Sequence, residues 1–249
     1  MSRGMTDIHH HLLRGMDDGA RSAEEMRAML RRARAEGIAR IVATPHATPG
    51  IEPFDREQFD RALAEARAIC AGEGLDVEVF GGAEILYTDQ TCRFLREGRV
   101  PTLAGTEYVL VEFSPDVPYA RLHDALAEIL HGGYLPVVAH VERYGCLLRR
   151  PARLLKLRRE LDICCQVNCG TIVRRKGVLV GRFLREIMRR NLVDAIATDA
   201  HRASPPRDAN MRAARDILRR EIGEARADEL TNGHPLFDAA GGGKGDKDA

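Results

Sequence analysis

The sequence predicts an α/β protein built as one parallel barrel of about seven strand–helix units, with a site at the carboxyl ends of the strands. Two observations predict this architecture. Short apolar segments alternate with helical segments in one unbroken series, without a repeat or an internal linker. Nearly every apolar segment also ends in a histidine or a carboxylate. Residues 1–233 are therefore predicted to form a single domain.

The first strand ends in the sequence DIHHH. Because alternate residues of a strand point the same way, His9 and His11 share one face and His10 lies on the other. Two imidazoles on one face can bind one metal ion if the strand ends at a cavity. Asp7 shares the face of His9 in this pattern and is predicted to orient an imidazole. Asp18, one turn later, offers an oxygen ligand to the same cavity.

Capping boxes mark the first two helices. Ser22 with Glu25 begins a helix that ends at Gly37, and Asp55 with Gln58 begins a helix that continues to about residue 72. Later helices are predicted at 89–97, 119–131, 151–159 and 177–190, with one or two more between 208 and 230. The strands after the first are predicted at 38–43, 77–80, 108–111, 135–139, 163–167 and 195–197.

The tail at 234–249 is predicted to be disordered, because its final sequence GGGKGDKDA offers no apolar side chain beyond alanine.

Metal-ligating residue types stand at the predicted strand ends, which surround one mouth in a parallel barrel. A lone histidine or glutamate in such a position usually satisfies a loop, but that does not explain six of the seven strand ends. Mixed imidazole and carboxylate donors favour Mn²⁺, Fe²⁺ or Zn²⁺, and their number exceeds what one ion needs, so we expect two or three ions. These residues are His9, His11, His46, Glu84, Glu112, His140, Asp199 and His201, with Asp18 close behind the first strand.

At these positions the sequence resembles the polymerase-and-histidinol-phosphatase (PHP) superfamily, and more narrowly its bacterial protein-tyrosine-phosphatase branch, found with capsule and exopolysaccharide synthesis systems. The resemblance implies a distorted (β/α)7 TIM-like barrel, the PHP fold, with a trinuclear centre that is usually manganese, with Fe²⁺ or Zn²⁺ as alternatives. The motifs that carry it are HxH at 9–11, DDG at 17–19, ATPH at 43–46, GAE at 82–84, LVEF at 110–113, AHVER at 139–143 and ATDAH at 197–201.

The resemblance also implies how the ligands are divided among three ions, with Glu84 bridging the first two. The first ion is assigned to His9, His11, Glu84 and Asp199. The second is assigned to Glu84, Glu112 and His140. The third is assigned to Asp18, His46 and His201.

Two arginines match family positions that bind the substrate phosphate. Arg143 lies three residues after one predicted ligand, and Arg207 lies six residues after another. A planar guanidinium binds phosphate oxygens in a bidentate manner. Arg202 is the alternative to Arg207, because the family spacing can differ by one residue here. Together with Asp199, Arg143 and Arg207 are our candidate catalytic residues.

The predicted activity is hydrolysis of phosphotyrosine by a metal-activated hydroxide. The substrate that we expect is the phosphorylated tail of a polysaccharide-synthesis tyrosine kinase. Tyr87, Phe113 and Tyr144 stand beside predicted ligands and offer possible faces for the substrate ring, although core packing is the ordinary role of such residues. The alternatives are another PHP phosphoesterase, acting on histidinol phosphate or a nucleotide, and a binding module that keeps the metals structurally.

The charge balance, 38 basic against 37 acidic residues, gives no electrostatic reason to expect nucleic acid or an anionic membrane as partner. No stretch approaches the roughly 18 apolar residues of a membrane span, and the first strand leaves no room for a signal peptide. We therefore expect a cytoplasmic protein with reduced cysteines. The oligomeric state is not predicted.

A thiolate mechanism is the competing explanation for phosphatase activity. Cys169 and Arg175 have the Cys-x5-Arg spacing of thiolate-dependent tyrosine phosphatases. The loop between them is not rich in glycine, and Lys176 replaces the hydroxyl residue that should follow the arginine. Cys164 and Cys165 match no common zinc spacing. We therefore interpret these cysteines as core thiols.

Overall fold

Parallel strands and helices alternate along the chain in the order that the sequence predicts. The computed structural model describes residues 4–175 and 177–232. The predicted disordered tail at 234–249 lies outside this part. The strands are β1 (Met5–His10), β2 (Ile38–Ala43), β3 (His46–Ala47), β4 (Glu78–Gly81), β5 (Glu84–Leu86), β6 (Tyr108–Glu112), β7 (Leu135–Val138), β8 (Cys164–Asn168) and β9 (Ala195–Ala197). The helices are α1 (Ala23–Glu36), α2 (Arg56–Glu73), α3 (Thr91–Arg96), α4 (Tyr119–His131), α5 (Gly145–Leu148), α6 (Ala152–Glu160), α7 (Cys169–Arg174), α8 (Val178–Arg189), α9 (Met211–Ile222) and α10 (Glu224–Thr231).

The two predicted helix starts are confirmed by their caps. The Ser22 hydroxyl accepts a hydrogen bond from the Glu25 N–H at 3.2 Å, and the Asp55 carboxylate accepts one from the Gln58 N–H at 2.9 Å. Helix α1 ends at Gly37, whose φ of 88° is a left-handed conformation that favours glycine. Helices α5 and α7 were not predicted, because one turn of helix has too little periodicity to be read.

The parallel sheet has the strand orders β1-β2-β4 and β3-β5-β6-β7-β8-β9. Two predicted strand ends are interrupted, so that short strands β3 and β5 follow β2 and β4. One cause is Pro45, which has no N–H to donate to a ladder. At the second interruption the chain segments approach closely at Gly82, where a Cβ atom would lie 2.9 Å from Cγ1 of Val42.

The edges of the sheet approach each other, so the sheet is curled. The N–H of Asp199 donates to the carbonyl of His9, and the N–H of His11 donates to the carbonyl of Ala200, both at 2.9 Å. These bonds bring the end of β9 beside the end of β1. The carboxyl ends of the parallel strands therefore surround a common mouth.

Apolar side chains fill both sides of the curled sheet. A large cluster lies between the strands and the helices, and a smaller one lies on the inner side of the curl. In residues 4–175 and 177–232, no helix is long and apolar enough to cross a membrane. The smaller cluster consists of Ile8, Val42, Leu103, Leu110, Val137, Ala139, Ala195 and Ala197.

Candidate metal centre

All nine predicted ligands lie at the mouth of the curled sheet, and their donor atoms converge there. They form three groups, and the donor atoms of each group lie within 4.8 Å of one another. The groups are His9, His11, Glu84 and Asp199; His46, Glu84 and Glu112; and His11, Asp18, His46 and His201. The predicted ligand absent from these groups, His140, contacts the second one, with its Nε2 2.8 Å from Oε1 of Glu84 and 3.6 Å from Oε2 of Glu112.

The first group is the most deeply buried. The Nε2 atoms of His9 and His11 are 3.2 Å apart, and Oε2 of Glu84 lies 3.1 and 3.2 Å from them. Oδ1 of Asp199 lies 3.5 and 3.4 Å from the same two nitrogens. Two imidazole nitrogens and two carboxylate oxygens that face one point form a donor set suited to a divalent cation.

His46 lies between the other two groups and faces them with different nitrogens. Its Nδ1 is 3.1 Å from Oε2 of Glu84 and 3.4 Å from Oε1 of Glu112. Its Nε2 is 3.7 Å from Oδ1 of Asp18, an oxygen that also lies 3.2 Å from Nε2 of His201. The three groups therefore adjoin, with Glu84 shared by two of them. The bridging role of Glu84 stays a prediction, and its carboxylate lies in both groups that such a bridge would join.

Carboxylates and imidazoles in the mouth stabilise each other's charged forms. Burial by itself would raise the pKa of Glu84, but the charge of His9 and hydrogen bonds from His11 and His140 hold it well below its usual range. Burial would lower the pKa of His140, but hydrogen bonds to the Glu112 and Glu84 carboxylates raise it to about 9. Protons thus stand between buried carboxylates and imidazoles, where metal ions would replace them. The donor set fits a metal cluster.

Two ligands have a strained backbone. His140 has φ 31° and Asp199 has φ 52°, both in the left-handed region that residues with a Cβ atom rarely adopt. The strain at Asp199 accompanies the hydrogen bond from its N–H to His9, and the strain at His140 accompanies one from its N–H to Gln166 Oε1 at 2.7 Å. Such strain persists where the surrounding structure over-determines it, and it clusters at functional sites.

Asp7 does not have its predicted role. In the pairing of β1 with β2, Asp7 lies opposite Ile41 and His10 opposite Ala43, so three steps on β1 match two on β2. A bulge of this kind changes the alternation of side chains. The Asp7 carboxylate accepts hydrogen bonds from the N–H and hydroxyl of Thr198. Nδ1 of His9 faces Oε1 of Gln166 and not Asp7. The prediction that Asp7 orients an imidazole is wrong.

Sequence reasoning missed two polar residues at the end of β8. Gln166 Oε1 lies 3.4 Å from Nδ1 of His9 and also accepts from the N–H of His140. Asn168 Nδ2 donates to Oδ2 of Asp199 at 2.7 Å, and Gln166 Nε2 donates to Oδ1 of Asn168 at 2.8 Å. The available signal was their spacing, because residues two apart at a strand end share a face. These amides orient three of the ligands.

The cavity beside the cluster has a volume of about 160 Å³, and Arg143 and Arg207 both line it. Nη2 of Arg143 donates to Oδ2 of Asp199 at 2.6 Å, and Nη1 of Arg207 donates to Oδ2 of Asp18 at 2.8 Å. Arg202 instead donates to backbone carbonyls, among them that of Asp18 at 2.7 Å. The geometry therefore favours Arg207 over Arg202 as the second arginine of the cavity.

Two of the three aromatic residues that could face the substrate ring are core residues instead. Tyr144 is fully buried, and its hydroxyl oxygen accepts a hydrogen bond from the N–H of Phe113 at 3.2 Å. Phe113 is also buried and stacks on Tyr87 with the ring centroids 5.5 Å apart. Tyr87 is half-buried, and its hydroxyl donates to Glu128. None of the three lines the cavity beside the cluster, and core packing explains Phe113 and Tyr144.

The Cys-x5-Arg pair does not form a thiolate site. Cys169 is fully buried, and burial raises the pKa of its thiol well above the ordinary value. The guanidinium of Arg175 binds Glu221 and the carbonyl of Ile172. A protonated thiol without exposure is not a nucleophile. The interpretation of Cys169 as a core thiol is confirmed.

A curled parallel sheet with helices around it and a polar mouth at its carboxyl ends defines an α/β protein of TIM-like fold. The chain belongs to the capsular polysaccharide synthesis CpsB/CapC family, whose sequence model matches residues 5–236. The tyrosine-protein phosphatase CpsB of Streptococcus pneumoniae is 32% identical over 238 residues, which are 93% of this chain and 96% of the relative.

Two solved structures extend the comparison. A chain from the crystal structures of YwqE from Bacillus subtilis and CpsB from Streptococcus pneumoniae, described as unique metal-dependent tyrosine phosphatases, superimposes with a TM-score of 0.81. It is 27% identical, and the match covers 94% of this chain and 96% of that one. Histidinol phosphate phosphatase from Lactococcus lactis has a TM-score of 0.58 at 12% identity, over 90% of this chain and 93% of the other, and supports the fold alone.

Proposed function

We propose that this protein is a metal-dependent protein-tyrosine phosphatase that hydrolyses phosphotyrosine in a protein substrate. The observation that carries the proposal is the convergence of three adjoining imidazole–carboxylate groups and two arginines on one cavity. The family and the names of its relatives supply the substrate class, because the metal-binding chemistry alone would accept many phosphate esters.

The ligand assignment follows the three groups of the mouth, with His140 added to the second. We expect Mn²⁺ as the metal and three ions as the number. Bound there, the ions would lower the pKa of a water molecule to supply the attacking hydroxide and would neutralise charge on the phosphate. The proposed ligands are His9, His11, Asp18, His46, Glu84, Glu112, His140, Asp199 and His201.

The protein's own residues position the phosphate and the ligands. Arg143 and Arg207 present guanidinium groups to the cavity, where their fixed donors bind phosphate oxygens. Asn168 and Arg143 both donate to Oδ2 of Asp199, and so its Oδ1 is directed towards His9. Buried side chains around the mouth limit the access of bulk water, which strengthens these charge interactions.

The scaffold and the cellular setting complete the proposal. If β2 with β3 and β4 with β5 are each counted as one interrupted strand, the curl has the seven units of a (β/α)7 barrel within residues 1–233. The family context favours a cytoplasmic enzyme of capsule or exopolysaccharide synthesis. Its expected partner is the phosphorylated tail of a tyrosine kinase of that system.

The test is a metal analysis of purified protein with side-by-side hydrolysis assays. The substrates are a phosphotyrosine peptide, a phosphoserine peptide and histidinol phosphate, each with and without chelator. We expect bound metal, chelator-sensitive hydrolysis of the phosphotyrosine peptide and little activity on phosphoserine. A kcat/KM on histidinol phosphate about tenfold above that on the phosphotyrosine peptide, a difference of roughly 1.4 kcal/mol in transition-state binding, would make the protein a metabolic phosphatase instead. Bound metal without any hydrolysis would make it a binding module.

A further inference from the structure

A third arginine lies on the wall of the cavity beside the proposed metal ligands. Arg174 is the last residue of α7, the short helix that directly follows β8. Its side chain lines the same cavity as Arg143 and Arg207, and its Nη1 donates to the carbonyl of Pro206 at 2.9 Å. None of the motifs shared with the PHP superfamily includes this residue.

Arg174 differs from the other two arginines in what balances its charge. Arg143 and Arg207 each donate to a carboxylate of the proposed metal ligands. Arg174 instead donates to a neutral carbonyl, and no carboxylate within residues 4–175 and 177–232 forms an ion pair with it. An uncompensated guanidinium in a cavity is a binding group for an anion.

The local structure makes room for this guanidinium. A Cβ atom on Gly170 would collide with Nη2 of Arg174 and lie 3.2 Å from its Cζ, so the absence of a side chain lets Arg174 fold over the start of α7. Asn210 lines the same cavity, and its buried Oδ1 has no hydrogen-bond partner in the described part of the chain. That oxygen can accept a backbone N–H of a bound peptide.

The sequence around this wall is strongly basic. Residues 174–190 contain seven basic side chains and one acidic side chain, in a chain whose total net charge is only +1. A concentration of one sign of charge attracts oppositely charged segments to that side of a protein. Arg175 pairs with Glu221, and Arg189 and Arg190 pair with Glu186, but the segment keeps an excess of basic residues, which favours anionic groups near α7.

We propose that Arg174 binds a second anionic group of the substrate, next to the phosphotyrosine held at the cluster. This inference rests on the proposed function and makes it more specific. The anion is either the carboxylate of a neighbouring acidic residue or the phosphate of a second phosphotyrosine. Arg174 is thus a specificity-determining residue, and the preferred substrate is a peptide with clustered negative charge.

Three peptides of equal length test the proposal. The first has a phosphotyrosine flanked by neutral residues, the second has a phosphotyrosine flanked by glutamates, and the third has two neighbouring phosphotyrosines. The kcat/KM is measured for each peptide. We expect the wild-type protein to favour an anionic peptide by about fivefold, the scale of one partly exposed ion pair. Arg174→Ala should remove this ratio, and Gly170→Ala should reduce it by displacing the guanidinium without removing its charge. Arg182→Ala, which removes an exposed arginine of α8 outside this cavity, should keep the wild-type ratio.

The outcomes separate the subsite from the proposed function. Preference for the doubly phosphorylated peptide alone identifies a phosphate as the anion, and preference for both anionic peptides identifies any anion. Hydrolysis of the neutral peptide without any preference leaves the phosphatase function intact and overturns the subsite. An equal loss in Arg182→Ala attributes the preference to general basic charge and also overturns it. If no phosphotyrosine peptide is hydrolysed, the proposed function itself fails and the subsite fails with it.

Discussion

The inner side of the curled sheet has an apolar floor and a charged mouth, and the same strands form both. On β6, Leu110 belongs to the buried inner cluster, and Glu112 lies two residues later at the mouth. On β9, Ala197 belongs to the same cluster, and Asp199 follows it by two residues. Residues two apart in a strand are separated by only about 7 Å. The comparison indicates that, within one strand–loop segment, the earlier residue contributes to the stability of the core and the later one to the site.

The sharpest test of this division substitutes one residue from each region. His9→Ala should abolish phosphatase activity and lower the metal content, because it removes a donor from the most buried group. Leu110→Ala should lower the free energy of unfolding by about 2–5 kcal/mol while metal still binds, because it leaves a cavity in the floor. Metal analysis, kinetics and urea unfolding of both variants provide the measurements. Full activity and full metal content in His9→Ala would refute the metal-centre proposal.

Chelation and a cysteine substitution test whether the chemistry is confined to the mouth. We expect chelator to remove the activity and added Mn²⁺ to restore it. Cys169→Ser should keep most of the activity per folded molecule, since this thiol is buried and protonated outside the cavity. The assay is phosphotyrosine hydrolysis with circular dichroism as the check on folding. The reverse pair of results would favour the thiolate mechanism.

Arg143→Ala tests how much a side chain of the cavity wall contributes to phosphate binding and catalysis in addition to the metal ions. A charge-assisted hydrogen bond is worth about 1.5–3 kcal/mol, so we expect a loss of roughly ten- to hundredfold in kcat/KM. Both a higher KM and a lower kcat are expected, because the phosphate is bound in the ground state and in the transition state. Arg61→Ala, an exposed substitution on α2, is the matched control. Wild-type kinetics in Arg143→Ala would exclude a role in phosphate binding.

A smaller effect is expected for the amides that support the mouth from β8. Asn168→Ala should weaken metal affinity or activity by about tenfold, at the low end for residues that orient ligands. The effect is limited because Arg143 also donates to the same oxygen of Asp199. Metal titration with the metal-free protein measures the affinity directly. An unchanged affinity together with unchanged kinetics would show that Asn168 only packs.

A pH dependence is expected for the stability of the metal-free fold. Burial would lower the pKa of His140, but its hydrogen bonds to Glu112 and Glu84 raise it from 6.5 to about 9. A raised histidine pKa stabilises the fold fully below the unfolded value of 6.5, and this stabilisation is lost as the pH rises through about 9. The Tm of chelator-treated protein should therefore fall over this interval, and it should fall less in His140→Gln. Equal slopes for both proteins would contradict this assignment.

Much of the secondary structure could be predicted from the sequence, because helix caps and helical periodicity depend on residues that are close together in the chain. The caps at Ser22 and Asp55, and helix α4 at Tyr119–His131, were predicted at the positions where the structure has them. A capping hydroxyl or carboxylate needs only a neighbour three residues away. The interruptions after β2 and β4 were missed, since the point at which a strand stops pairing depends on neighbouring strands that are distant in the sequence.

The sequence by itself determined which residues converge at the mouth, because parallel strands bring their carboxyl ends to one mouth whatever the loops do. Only the tertiary structure decided how those residues are supported. Asp7 lies next to a bulge in β1 and accepts hydrogen bonds from Thr198, and the amides of Gln166 and Asn168 contact the predicted ligands instead. A neutral amide has no local signature of function, and a bulge depends on pairing with a distant strand. Which arginines line the cavity was likewise decided by long-range packing.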